Sequence, residues 1–170
     1  TKTLSKSLAR REHVPLEQVM RLVNDEVSRE NKAAMFVTTI IGIIDARSGA
    51  VELCNAGHNP PIRLSSVRPP QELDGANGPP LCVDEGFPYT PQRLQLHSGD
   101  LLLLITDGVS EAENGKQVCY GTARIIDCFA KNPPDAAAAC MQLHDDVKRF
   151  TAGAPPSDDL TIVAIRFVKT

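Results

Sequence analysis

The chain opens with apolar residues at helical spacing. Leu4 and Leu8 share one face of a first helix, and Val19, Met20, Val23 and Val27 form a stripe on a second, from Pro15 to about Glu30. Pro15 suits a first helical turn and Glu17 lies near its positive end. The pattern then changes. MFVTTIIGIIDARSGAVELCNAG is rich in Val, Ile and Thr and holds D-A-R-S-G between two apolar runs, which predicts a β-hairpin. Its first strand does not alternate, so it is expected to be buried on both faces. From Ser65 to about Pro91 prolines and glycines predict a long surface loop with short strand pieces. HSGDLLLLIT supplies a turn and a central strand, GTARIIDCFAKN and PPDAAAACMQLHDDVKRFTA two helices, and LTIVAIRFV a last strand. This order lacks regular βαβ alternation and predicts an α+β fold in one domain over residues 1–170.

Composition narrows the function classes. With 170 residues and 42% hydrophobic positions the chain can build a core without staples. The net charge is −3 and no Lys/Arg cluster is interleaved with aromatics, so no nucleic acid and no anionic membrane surface is expected as a partner. No apolar stretch is long enough to cross a bilayer, and TKTLSKSLARRE is not a signal peptide. The five cysteines never form C-x-x-C, which indicates neither a disulfide framework nor a zinc site and fits a reducing cytoplasm.

Two acidic sites flank strands: Asp107-Gly108 after LLLLIT, and Asp158-Asp159 before LTIVAIRFV. If those strands pair antiparallel, the end of one lies beside the start of the other and the acids converge. Two unit charges about 4 Å apart repel by about 4 kcal/mol at an effective dielectric of 20, against a net domain stability of roughly 5–15 kcal/mol. No Lys or Arg lies within five residues of Asp107. A hard cation such as Mg²⁺ or Mn²⁺ would offset the repulsion. Asp-Gly and Ser-Asp-Asp are also ordinary turn sequences, and on spacing alone both readings stand. A receiver domain is excluded because its acidic pair precedes the strand-end Asp, whereas here the pair follows it. G-x-S-x-G, Walker and H-E-x-x-H motifs are absent.

MFVTTIIGIIDARSGAVELCNAGHNPPI, GDLLLLITDGVSEAENG and SDDLTIVAI resemble, in order and spacing, the SpoIIE/RsbU branch of the PPM-type metal-dependent serine/threonine phosphatases. The resemblance implies a β-sandwich flanked by helices. It implies that Asp107 and Asp158 are metal ligands, with Asp159 the adjacent acid. It also implies two divalent cations, Mn²⁺ or Mg²⁺, whose bridging water attacks a phosphoserine or phosphothreonine. The implied substrate is a phosphorylated signalling protein, typically a STAS-domain anti-sigma-factor antagonist, and the implied setting a bacterial protein with an upstream sensor or receiver module. His58 and Thr161 match family positions and are read as structural; Gly108 is read as permitting a sharp exit or a positive φ. Two departures stand out. Pro79-Pro80-Leu81-Cys82 replaces the usual Pro-Leu-Gly, and the family's first Asp-Gly metal motif is not present in these residues. The chain is therefore expected to be an N-terminally truncated domain lacking the first strands, with an incomplete site, little activity alone, and self-association through exposed strand edges. The rival readings are a non-catalytic relative that binds a regulatory partner and a metal-free interaction domain with turn acids.

Overall fold

The computed structural model describes residues 14–29, 31, 34–156 and 158–169. The helix expected around Leu4 and Leu8 lies outside them. The described elements run α1 (Leu16–Arg29), β1 (Thr39–Ile44), β2 (Ala50–Ala56), β3 (Ile62–Leu64), β4 (Gln71–Glu72), β5 (Gln92–Gln95), β6 (Leu101–Ile105), α2 (Asp107–Ser110), α3 (Gly121–Cys128), α4 (Ala136–Thr151) and β7 (Ile162–Arg166). They divide between two compact units, residues 1–58 with 74–96, and residues 59–73 with 97–170. All strand pairs are antiparallel, and helices and sheets are mixed as an α+β class requires.

The first unit contains the sheet β1-β2-β5 and helix α1. The predicted hairpin forms, its turn closed by Gly49 N–H donating to the Asp45 carbonyl at 2.8 Å, with Gly49 in the left-handed region at φ 77°. Leu16, Val19, Met20 and Val23 are fully buried, so the helical stripe faces Cys54, Ala56, Leu81 and Tyr89 in the core. One polar residue joins them. Asn24, also fully buried, donates to the Asp84 carbonyl at 2.8 Å and accepts from Cys82 N–H at 3.0 Å, satisfying both ends of its amide and tying the proline-rich segment to α1. That segment is thus a loop anchored at Leu81 and Tyr89. The first strand differs from expectation. β1 pairs only with β2 among the described residues, so it is an edge, and Ile43 is 41% exposed although the apolar run predicted burial on both faces.

The second unit carries the sheet β4-β3-β6-β7. Leu101, Leu103 and Ile105 on β6 are buried with Ile62 and Leu64 on β3, and with Tyr120, Ile125, Phe129, Ala139, Leu143 and Val147 from the helical side. β6 is central, between β3 and β7, which explains why its sequence does not alternate. Helix α4 begins at Asp135, whose side chain accepts from Ala138 N–H at 2.8 Å, and ends at Ala152 in a left-handed conformation. Tyr120 is buried and its hydroxyl donates to the Asp146 carboxylate on α4.

At the end of β6 remote from Asp107, Asp100 is buried and held by Arg63 at 2.5 Å and by the His97 backbone N–H at 2.9 Å. Burial pushes its carboxyl up. The hydrogen bonds from His97, Arg63 and Ser65 outweigh that effect and hold it below the ordinary carboxylate range. A lowered native pKa gives stability that is present above the unfolded value of about 3.9 and lost as pH falls through the native value. Arg63→Ala leaves a buried charge unpaired and is expected to cost about 3 kcal/mol at neutral pH in denaturant unfolding. The loss should shrink on acidification below the unfolded value of about 3.9, as pH approaches the lowered native value at which Asp100 takes up its proton.

Candidate metal centre

The antiparallel register of β6 and β7 pairs Ile105 with Ile162, so the chain leaving β6 and the chain approaching β7 occupy the same end of the sheet. Asp107 follows Ile105 by two residues and Asp158 precedes Ile162 by four. The strand pairing on which the sequence expectation was conditional is therefore present, and it brings the two acid-bearing segments to one end of the sheet.

Thr106 joins the two segments. Its N–H donates to the Thr161 carbonyl at 3.2 Å, its hydroxyl donates to the Asp159 carbonyl at 3.2 Å, and the same hydroxyl accepts from Thr161 N–H at 3.0 Å. Three bonds across one residue lock the loop that carries Asp158 and Asp159 against the loop that carries Asp107. Thr161 serves this ladder through its backbone, in keeping with its structural reading. Thr106 was not singled out from the sequence, although it stands beside the acid in T-D-G.

Gly108 makes the approach possible. It is buried inside the short helix α2, with no positive φ, so the left-handed role anticipated for it does not apply. A methyl group there would lie 3.0 Å from the Asp159 carbonyl carbon and nearer still to its oxygen, both backbone atoms. The glycine is required by proximity between two chain segments.

The carboxylates themselves make only local bonds. Asp107 Oδ1 accepts from Gly108 N–H at 3.0 Å, and Asp158 Oδ1 accepts from Asp159 N–H at 2.7 Å. Asp107, Asp158 and Asp159 are exposed. Each ligand candidate thus has an outward oxygen available, and carboxylate oxygen is the donor that Mg²⁺ and Mn²⁺ prefer. In donor chemistry the two acids fit a hard divalent ion. In number they supply part of a site: among the described residues no group of three or more His, Cys, Asp or Glu side chains is gathered for a metal. A cavity of about 500 Å³ has Gly108 and Asp158 in its wall beside Val147, Lys148, Pro155 and Leu160.

His58 is placed in the first unit. Asn55 accepts from its N–H at 2.7 Å and donates to its carbonyl at 2.8 Å, while Thr38 Oγ1 lies 3.2 Å from its Nδ1. Gly57 precedes it at φ 70°, packed where a side chain would meet Pro80. These are the contacts of a tight turn.

The family model of Stage II sporulation protein E (SpoIIE) matches residues 1–168. The chain belongs to the SpoIIE family. Protein IcfG of Synechocystis sp. (strain ATCC 27184 / PCC 6803 / Kazusa) is 28% identical over 151 residues, which are 86% of this chain and 23% of IcfG. The chain thus spans about a quarter of that relative. The PP2C phosphatase domain of Bacillus subtilis SpoIIE, solved with a fragment of its regulatory domain, superposes with a TM-score of 0.81 at 20% identity, over 97% of this chain and 48% of that one. The same domain in a manganese-presoaked form gives 0.68 at 20% identity, over 99% of this chain and 73% of that one. The RsbU and RsbW domains of Rv1364c from Mycobacterium tuberculosis give 0.74 at 21% identity, over 98% of this chain and 46% of that one. The fold is that of PP2C phosphatase domains.

Gly108→Ala is expected to destabilise by about 1–3 kcal/mol, because the added methyl meets backbone on the neighbouring loop. Gly115→Ala, where nothing lies within 4 Å of the added carbon, should stay within about 0.5 kcal/mol. Denaturant unfolding of the two variants beside the parent checks both.

Proposed function

We propose that this chain is part of a metal-dependent protein serine/threonine phosphatase domain of a bacterial signalling protein, in which Asp107 and Asp158 hold divalent cations. The observation that carries the reading is the bonding of the two acid-bearing loops through Thr106, together with the backbone approach at Gly108. A turn acid needs no such junction. When bound, Mn²⁺ or Mg²⁺ would supply a water of lowered pKa and positive charge for the phosphoryl oxygens. Asp107 and Asp158 would fix the position of that charge. Asp159 contributes its backbone carbonyl to the Thr106 hydroxyl, and its N–H holds one oxygen of Asp158, turning the other outward.

The substrate proposed is a phosphorylated protein, with a STAS-domain anti-sigma-factor antagonist as its type, and the parent chain would carry a sensor or receiver module upstream. The cavity beside Asp158 would give a polypeptide room next to that acid, with Lys148 in its wall. The manganese-presoaked relative supports the choice of a divalent ion. The second reading, a partner-binding module without catalysis, is favoured by the small number of metal-type side chains gathered among the described residues. No helix among the described residues is long and apolar enough to cross a membrane, and a cytoplasmic location is proposed with the rest of the reading.

The test is Mn²⁺-dependent phosphate release from a phosphoserine protein by the full-length protein. Asp107→Asn and Asp158→Asn should each lower the rate by at least about 100-fold, beyond the roughly 10–100-fold typical of groups that only support a metal ligand. Activity that neither change reduces would contradict the assignment, and a folded, inactive parent protein would favour the binding module.

We also propose self-association of the 170-residue chain. β7 has β6 as its one strand partner among the described residues, and Val163 and Ile165 on it are 47% and 37% exposed. An open apolar edge is a template for pairing. Sedimentation of this chain should show concentration-dependent dimers or larger species, reduced by Val163→Lys with Ile165→Lys. A monomer throughout would count against the edge.

A further inference from the structure

We infer that Asn59 is a positioning residue for Asp107, acting through the hydroxyl of Ser110; the inference rests on the metal-ligand role proposed for Asp107.

Helix α2 has only four residues, Asp107–Ser110. Isolated helices below about 12 residues are marginal in water, so a single turn has almost no stability of its own. Its shape must come from neighbours. On the side of Thr106 the neighbours are Asp159 and Thr161, as described. On the other side, among the described residues, a side chain from outside the turn reaches it. Asn59 Nδ2 donates to Ser110 Oγ at 3.1 Å, and Ser110 Oγ donates onward to the Asp107 carbonyl at 3.2 Å. The same carbonyl accepts from Glu111 N–H at 2.8 Å.

The chain of bonds has a direction. The Asn59 amide is aimed only as well as its backbone is fixed, and Pro60-Pro61 follow immediately, with the Pro61 carbonyl accepting from Leu73 N–H at 2.8 Å. Two consecutive prolines restrict the backbone of Asn59 and Pro60 to extended conformations. A stiff support therefore holds the Ser110 hydroxyl, which aims its own hydrogen at the peptide group of Asp107. Because the Asp107 side chain leaves from that same residue, fixing its carbonyl limits the directions in which the carboxylate can point. Without Asn59 the Ser110 oxygen loses its donor from outside the turn, and the turn is left with its own internal bonds and the Thr106 junction.

This assigns a task to the asparagine of G-H-N-P-P. Asn59 touches no substrate; what it governs is how well Asp107 is preorganised for a cation.

The experiment is Mn²⁺ titration calorimetry on the full-length protein and on Asn59→Ala, Ser110→Ala, the double variant, Ser110→Thr and Asp107→Asn, with a thermal melt of each. Asn59→Ala and Ser110→Ala should each weaken Mn²⁺ binding about tenfold, the lower end for groups that orient a metal ligand. The double variant should be no weaker than either single one, since both remove the same link. Ser110→Thr, which keeps the hydroxyl, should bind as the parent does. If Asn59→Ala does not fold, Ser110→Ala and Ser110→Thr carry the comparison. Unchanged Mn²⁺ affinity in Asn59→Ala and Ser110→Ala, while Asp107→Asn loses it, would overturn the inference alone. Multiplying effects in the double variant would also overturn it. Unchanged affinity in Asp107→Asn would overturn the metal assignment beneath it.

Discussion

The structure of the second unit depends on the antiparallel pairing of β6 and β7, carried one step past the strands by Thr106. A ladder that stopped at Ile105 and Ile162 would leave two acidic loops side by side with nothing to hold them there. Thr106 bonds to both Asp159 and Thr161, and Gly108 yields its side-chain volume to the Asp159 backbone. The result is a rigid junction built from uncharged groups, which places carboxylates at its rim without asking them to support it. Each acid gives one oxygen to the next residue's N–H and has a second oxygen to offer a cation.

The same unit shows the opposite arrangement at the other end of β6. There Asp100 is buried and saturated with hydrogen bonds from Arg63 and the His97 backbone. One strand thus begins at an acid used for stability and ends at an acid left open to solvent. The difference lies in the partners. A guanidinium reaches Asp100 from β3, and no Lys or Arg stands near Asp107 or Asp158 in the sequence.

Much of this was legible in the chain. The Val19–Met20–Val23 stripe, the D-A-R-S-G hairpin and the unalternating LLLLI strand carry their burial in their period, and the structure places them accordingly. The pair of strand-flanking acids was also readable, because the order of elements made antiparallel neighbours plausible. β1 was misread because a sequence run reports apolarity but not position in a sheet, and an edge strand with an apolar face has the same letters as a buried one. Of the two readings of Gly108, a sharp exit or a positive φ, the second does not hold, since a glycine required by an approaching backbone looks the same in sequence as one required by a positive φ. Thr106, Ser110 and Asn59 went unseen because their roles are hydrogen bonds between residues far apart in the chain, and no period or spacing encodes those. The SpoIIE family membership and the PP2C-type fold agree with the order of the three motifs.

The central claim is that Asp107 and Asp158 share a divalent cation at the junction of β6 and β7. Anomalous diffraction from crystals of the full-length protein grown with Mn²⁺ tests it most directly. The account predicts a manganese peak with both carboxylates in its coordination sphere, at the roughly 2.0–2.2 Å typical of small divalent ions bound by oxygen. Manganese bound elsewhere, with both aspartates facing only water, would contradict it.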